Sequence, residues 1–208
     1  MNVLCLFMKK FVPEFRTEQR KAKFKAVLEK RQPDITVVLE NVHDPHNVSA
    51  VLRSCDAVGL LEVNLIYYGG QVFPKLGEKS SASARKWIHL NKYESVDDCY
   101  NALRKEKMKI YTTNMSVDSV SLYDLDLTQP VALVFGNEHQ GVSQEATEKA
   151  DGNFLIPQVG IIQSLNISVA TAVTLFEAFR QRLQAGFYDK SRLSEEKFEK
   201  IYREWLSK

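Results

Sequence analysis

An α/β fold, with a mostly parallel sheet covered by helices on both faces, is the architecture this sequence predicts, and three observations carry it. Short apolar runs rich in Val, Ile and Leu alternate with segments of helical periodicity along most of the chain. Two of these runs, 131–135 and 154–157, lead directly into loops of small and polar residues, 136–141 and 160–166. Loops of that kind at the carboxyl ends of strands form the usual ligand crevice of an open α/β sheet, because their backbone amides and carbonyls are free. The 208 residues, 44% hydrophobic and 26% charged, suit one globular domain with appendages.

Taken in order, Thr17 is a suitable N-cap for a helix reaching about Lys30, with Phe24, Val27 and Leu28 on one side, and Pro33 stops it. Residues 35–42 read as a buried strand. A polar loop, 43–47, follows, then a helix with Asn47 at its N-cap, Val48, Val51, Leu52, Cys55 and Val58 at helical spacing, and Gly59 at its end. The next strand is 63–68. A segment rich in Lys and Ser leads to a short strand at 87–90, a helix at 96–105 and a strand at 108–113. The last third repeats the alternation: strand 131–135, a helix near 143–150, strand 154–157 and a long helix over about 165–183. That helix is rich in Val, Thr and Ile, so packing rather than propensity must hold it, and it is expected to be buried. Beyond Gly186, Ser194-Glu195-Glu196 opens an amphipathic helix whose Phe198, Ile201, Tyr202 and Trp205 share a stripe. The chain therefore divides into a basic N-terminal extension (1–31), a core (32–186) and a C-terminal helical extension (187–208).

The net charge of +2 conceals an asymmetry. Residues 1–31 hold nine Lys or Arg against three acids, and residues 180–208 hold eight against five, leaving 11 basic and 18 acidic residues between them. Basic ends on an acidic body suit a polyanion, since Lys and Arg contacts to phosphate supply most nonspecific nucleic-acid affinity; two solvated helix faces would look the same by charge alone. Cys5, Cys55 and Cys99 are odd in number and lack a CxxC pair, so they read as small core residues rather than a disulfide or zinc framework. The apolar run 3–8 is too short to span a membrane and lacks the flanks of a leader, which places the protein in the cytoplasm.

Neither GxGxxG nor GxxxxGK[ST] is present; Val142 stands where a P-loop lysine would be, so nucleotide hydrolysis is excluded as the expectation. No GxSxG elbow supports Ser164 as a hydrolase nucleophile. His43, His46 and His139 lack a clustered Cys or acidic set, and no metal is expected. On the helix after His46, Ser49, Arg53 and Asp56 fall on one polar stripe, which an exposed arginine on a capped helix would equally produce.

Three segments change the weight of these residues. Residues 39–47 with 53–59, residues 135–141, and Ile156-Pro157 with 164–170 resemble, in order and at matching separations, the three motifs of SPOUT-class RNA 2′-O-methyltransferases. The resemblance covers about residues 35–185. Within that class the ENVHxPHN opening (here Glu40-Asn41-Val42-His43-Asp44-Pro45-His46-Asn47) and the short basic extensions are most similar to the TrmH subgroup, which methylates a D-loop guanosine of tRNA.

The resemblance implies S-adenosylmethionine as methyl donor, tRNA as substrate with position 18 as target, a homodimer and a C-terminal trefoil knot, a rare exception to ordinary chain topology. It further implies catalytic-site roles for Asn47, Arg53, Glu138, Ser164 and Asn166. The donor would be cradled, chiefly through backbone groups, by Phe135, Gly136, Asn137, Gly141, Ile156, Pro157, Ser164 and Leu165. RNA phosphates would be gripped by Arg16, Arg20, Lys21, Lys23, Lys25 and Arg53, with basic residues near 197–203 at the other end. A guanidinium is a poor free base at neutral pH, so Arg53 is expected to bind a phosphate beside the attacking hydroxyl rather than to take its proton. Glu138 reads either as a loop acid that satisfies backbone amides or as a group that orients Arg53 or Asn47. Ser164 and Asn166 also read as helix caps. The rival expectations are the same chemistry on rRNA or a tRNA anticodon loop, and a noncatalytic RNA-binding relative.

Overall fold

The computed structural model describes residues 17–74, 84–114, 118–162 and 164–208. In chain order the elements are α1 (Glu18–Leu28), β1 (Ile35–Glu40), α2 (Pro45–Ala57), β2 (Glu62–Ile66), α3 (Ala84–Trp87), β3 (His89–Tyr93), α4 (Val96–Lys105), β4 (Lys109–Thr113), β5 (Val120–Ser121), β6 (Val131–Phe135), α5 (Gln144–Glu148), β7 (Gly152–Leu155), α6 (Ile167–Gln184) and α7 (Glu195–Ser207). The seven strands form one sheet in the order 3-2-1-6-4-7-5, with every pairing parallel. An all-parallel sheet needs cover on both faces, and the central strands β1 and β6 are buried at every position.

Alternation along these strands sends neighbouring side chains to opposite layers. Val37, Leu39 and Leu133 join Val51, Leu52 and Leu175 in the larger core, on the α2 and α6 side. Val38, Ala132 and Val134 face Tyr100, Leu103 and Ala146 on the α4 and α5 side. Cys55 and Cys99 are fully buried free thiols. Burial pushes Cys99 up to about 12 and Cys55 higher still, so both are inert core residues at neutral pH. Cys5 lies outside the described residues.

The ends pack on each other. Phe24 and Leu28 of α1 meet Trp205 of α7 in a third cluster that also takes in Trp87. Thr17 caps α1 by accepting from the Arg20 amide, while Val27, expected on the packed side, is 36% exposed. Trp87 ends a short helix, and the strand expected at 87–90 starts at His89 instead. Two short elements carried no periodic signal: β5, and a 3-10 turn over Leu122–Asp124 that buries Leu122.

Helix α6 departs from the expectation of full burial. Ile167, Thr171, Leu175 and Ala178 are buried, yet Val169, Phe176 and Leu183 are exposed. Spacings of seven residues put these three on one stripe of the helix, with Leu165 just ahead of it. One face of α6 packs on α2 and the sheet, and the other presents an apolar surface. Gln181 and the fully buried Arg182 hold the helix to the 122–129 segment through Leu125, Leu127 and Gln129.

Candidate active site

The carboxyl ends of β6 and β7 carry two loops that form a cleft. Phe135 ends β6, and Gly136 turns the chain so tightly that a Cβ there would sit 1.9 Å from the Gly141 carbonyl group. No side chain fits. The loop is closed by the Gly141 amide donating to the Asn137 carbonyl at 2.9 Å, and Gly141 adopts φ +67°. The Asn137 side chain accepts from the amides of His139 and Gln140, both at 2.8 Å. Those backbone donors are thus satisfied by Asn137, leaving the Glu138 carboxylate for another partner.

That partner is Asn47. Its amide nitrogen donates to Glu138 Oε1 at 2.6 Å, and its carbonyl oxygen accepts from Asn166 Nδ2 at 3.1 Å. Asn166 in turn caps α6, its oxygen accepting from the Ser168 amide at 2.8 Å. One hydrogen-bonded chain therefore joins three segments separated by 91 and 28 positions in sequence. Asn47 is not the N-cap of α2: Asp44 is, accepting from the His46 amide at 2.8 Å, and Pro45 opens the helix. Displaced into the first turn, the Asn47 side chain is buried and turned toward Glu138.

The cleft has a volume of about 990 Å³. Phe135, Gly136, Asn137, Gly141, Ile156, Ser164 and Leu165 line it, as do Glu138 and Asn166; Pro157 does not. Thr113 and Asn114, after β4, also line it, although nothing in their sequence context marks them out. Ser164 is exposed on the wall and does not cap α6, a role that Asn166 fills.

Two further groups support the loops from behind. Glu40, 2% exposed at the end of a fully buried strand, accepts from the Ser143 amide at 2.9 Å, the Ser143 hydroxyl at 2.6 Å and the Tyr68 hydroxyl at 2.8 Å. Ser143 caps α5, so Glu40 ties the exit of the 136–141 loop to β1. A glutamate closing a buried strand was the available sequence signal for this tie. Tyr67 donates its hydroxyl to the Val42 carbonyl, and burial, reinforced by the nearby Glu138 charge, pushes its phenol well above the ordinary tyrosine range.

Arg53 stands apart. It is exposed on α2, does not line the cleft, and lies six residues beyond Asn47, on a different side of the helix. Its supposed companions diverge too: Ser49 is buried and bonds the Pro45 carbonyl, and Asp56 pairs with buried Arg31. Of the N-terminal cations, Arg20 lies over Phe24, Lys25 lies over Tyr202 of α7, Lys21 pairs with Glu18, and Lys23 is exposed. Arg16 lies outside the described residues. Among the described residues no three His, Cys, Asp or Glu side chains are grouped as a metal site.

The SpoU rRNA methylase family profile matches residues 34–176, a span that includes all three linked segments. The chain belongs to this family. A relative from Thermus thermophilus, named tRNA (guanosine(18)-2′-O)-methyltransferase, is 47% identical over 193 residues, covering 93% of this chain and 98% of its own. The crystal structure of the Aquifex aeolicus TrmH/SpoU tRNA modifying enzyme superposes with a TM-score of 0.85 at 40% identity, covering 91% of this chain and 95% of its own. A SpoU methyltransferase from Streptomyces viridochromogenes, solved in complex with AdoMet, has a TM-score of 0.64 at 25% identity, covering 75% and 62%.

Proposed function

We propose that this protein transfers the methyl group of S-adenosylmethionine to the ribose 2′-oxygen of the D-loop guanosine at position 18 of tRNA. The observation that carries the proposal is the hydrogen-bonded chain Glu138–Asn47–Asn166, which gathers one residue from each methyltransferase-like motif at the cleft. The choice of tRNA follows the name of the Thermus relative, whose alignment includes the basic helix α1 as well as the core.

The cleft suits the donor. Its volume lies in the range of small-molecule sites, its walls offer loop backbone at two strand ends, and Glu138 places a carboxylate where a sulfonium cation would be stabilised. When bound, S-adenosylmethionine supplies an electrophilic methyl group on a positively charged sulfur. The protein's own contribution is to align the ribose hydroxyl with that methyl and to assist loss of its proton. Asn47, held from both sides, fixes the Glu138 carboxylate in place, and Ser164 offers a hydroxyl on the cleft wall for hydrogen bonding. Arg53 binds the phosphate next to the attacking hydroxyl, with a planar fork that Lys cannot reproduce.

The exposed stripe Val169, Phe176 and Leu183 supports a homodimer formed through α6. Arg53 of a second copy would then be the source of the guanidinium that one chain's own cleft lacks. A trefoil knot in the C-terminal part is supported by the strand order, in which β6 enters between β1 and β4 before the chain returns through α6 to α2. Among the described residues no helix is long and apolar enough to cross a membrane. The cytoplasm is the compartment in which a tRNA substrate would be met.

Methyl transfer from tritiated donor to purified tRNA, followed by mapping of the modified nucleotide, tests the proposal. Label at guanosine 18 is expected. Label confined to rRNA or to the anticodon loop would replace the target, and no label on any RNA despite donor binding would favour a noncatalytic relative.

A further inference from the structure

The Glu138–Asn47 contact joins two loops on the cleft side, and Glu40 joins the same two loops from behind. Ser143, five residues after Glu138, grips the Glu40 carboxylate on both oxygens: its amide donates to Oε2 at 2.9 Å and its hydroxyl to Oε1 at 2.6 Å. The Tyr68 hydroxyl donates to the same Oε1 at 2.8 Å. On the other side Glu40 precedes Asn47 by seven residues, and the chain that follows it is pinned as well. Asn41 adopts φ +49° and its side-chain oxygen accepts from the Tyr68 amide at 3.3 Å, while Tyr67 donates its hydroxyl to the Val42 carbonyl. Burying a carboxylate at the end of β1 carries a desolvation cost that an apolar side chain would not. Charge-assisted bonds in a buried setting are short and directional, so what Glu40 contributes in return is geometry.

We propose that Glu40 is a positioning residue: by holding Ser143 against the end of β1 it fixes the 136–143 segment relative to the 41–47 loop, and so sets the place of the Glu138 carboxylate against the methyl donor. The inference rests on the donor reading of the cleft given above, but not on the identity of the RNA. Glu40 does not line the cleft, so it acts only through the two loops. With one tie on each side, neither loop can tilt without breaking a buried hydrogen bond. A carboxamide cannot copy the grip, because it has a single oxygen and its nitrogen would face the Ser143 amide or displace the hydroxyl donors.

The test compares Glu40→Gln, Ser143→Ala and Ser143→Thr in the full-length protein; the last keeps the hydroxyl. Calorimetry with S-adenosylmethionine reads donor affinity. Amide hydrogen exchange without donor reads the loop at Gly141, whose own bond goes to the Asn137 carbonyl and not to Glu40. Donor binding should weaken about tenfold in Glu40→Gln and about threefold in Ser143→Ala, and be restored to within about twofold in Ser143→Thr. Gly141 exchange should quicken by about tenfold in Glu40→Gln. Glu40→Gln alone should lower kcat about tenfold, yet added to Glu138→Gln it should lower kcat by no more than about a further twofold, because it acts through Glu138.

A lower melting midpoint in Glu40→Gln with native donor affinity and native Gly141 exchange would make Glu40 a structural anchor and overturn the proposal, leaving the methyltransferase reading intact. Should Glu40→Gln not fold, equal donor affinity in Ser143→Ala and Ser143→Thr would overturn it instead. Additive kcat losses in the double variant would overturn the action through Glu138. Shifted affinity and exchange in a protein that methylates no RNA would support the positioning role and overturn the catalytic reading. Failure of the native protein to bind the donor would overturn the reading of the cleft, a result distinct from a variant that binds as well as the native protein.

Discussion

The catalytic cleft and the terminal-helix cluster are built on different physics. The cleft is shaped by backbone and short polar side chains: a glycine turn that tolerates no Cβ, an Asx turn, and the Asn47 side-chain amide that holds a carboxylate. The terminal cluster is made of rings: Phe24, Trp87 and Trp205 within 5.1 to 5.8 Å of one another, with Arg31 over Trp205. Polar chains give geometry and little net stability, since each hydrogen bond replaces one to water. Buried aromatics give stability and tolerate variation in detail. Substitutions in the cleft should therefore change chemistry with the fold intact, and substitutions in the cluster should do the reverse.

The largest expected effect breaks that contrast most directly. Trp205→Ala should lower unfolding free energy by about 3–5 kcal/mol, read by denaturant melting, while the donor dissociation constant stays within about twofold. Donor affinity falling in step with stability would show the two regions to be one unit. Next, Glu138→Gln keeps an oxygen for Asn47 but removes the charge; kcat should fall about 100-fold, with an unchanged melting midpoint as the control. Gly136→Ala must reopen the loop against the Gly141 backbone, and calorimetry should show donor affinity weakened by more than about tenfold, roughly 1.4 kcal/mol.

Arg53→Lys keeps the charge and loses the fork. A kcat lower by roughly tenfold with unchanged donor binding is expected, and normal turnover would remove the phosphate-positioning role. The smallest effect concerns pH. Hydrogen bonds from Arg180, aided by Gln181, hold the Glu177 carboxyl below the ordinary glutamate range despite its burial. A lowered folded value stabilises the protein above that ordinary range and is lost as pH falls through it. Because Arg180 is half exposed, less than about 1 kcal/mol is at stake. Glu177→Gln should slightly flatten the acid limb of a stability profile measured by thermal melts.

Much of this architecture was legible along the chain. The predominantly apolar β1, the fully apolar β6, the cap-to-cap helix at 96–105 and the two strand-end loops all carry local signals: period, capping residue, glycine. Residues 87–90 misled because Trp87 and Ile88 look like strand, whereas Trp87 ends a helical turn that packs it against Phe24 and Trp205. Asn47 misled as well, since Asp44 three residues earlier takes the cap when Pro45 opens the helix. Glu40 drew no attention as a site residue because its partner, Ser143, is 103 positions away.

By itself the sequence determined the α/β class, the order of its elements, and the residue types that each loop brings to the carboxyl ends of the strands, because those depend on local periodicity and backbone preference. Only the tertiary structure decided that Glu138 meets Asn47, that Asn166 both caps α6 and holds Asn47, and that Arg53 points elsewhere. It also decided that one stripe of α6 is left uncovered and that Glu40 meets Ser143. The physical reason is common to all of these. Contacts between residues tens of positions apart are set by strand order and helix packing, and no local pattern encodes either.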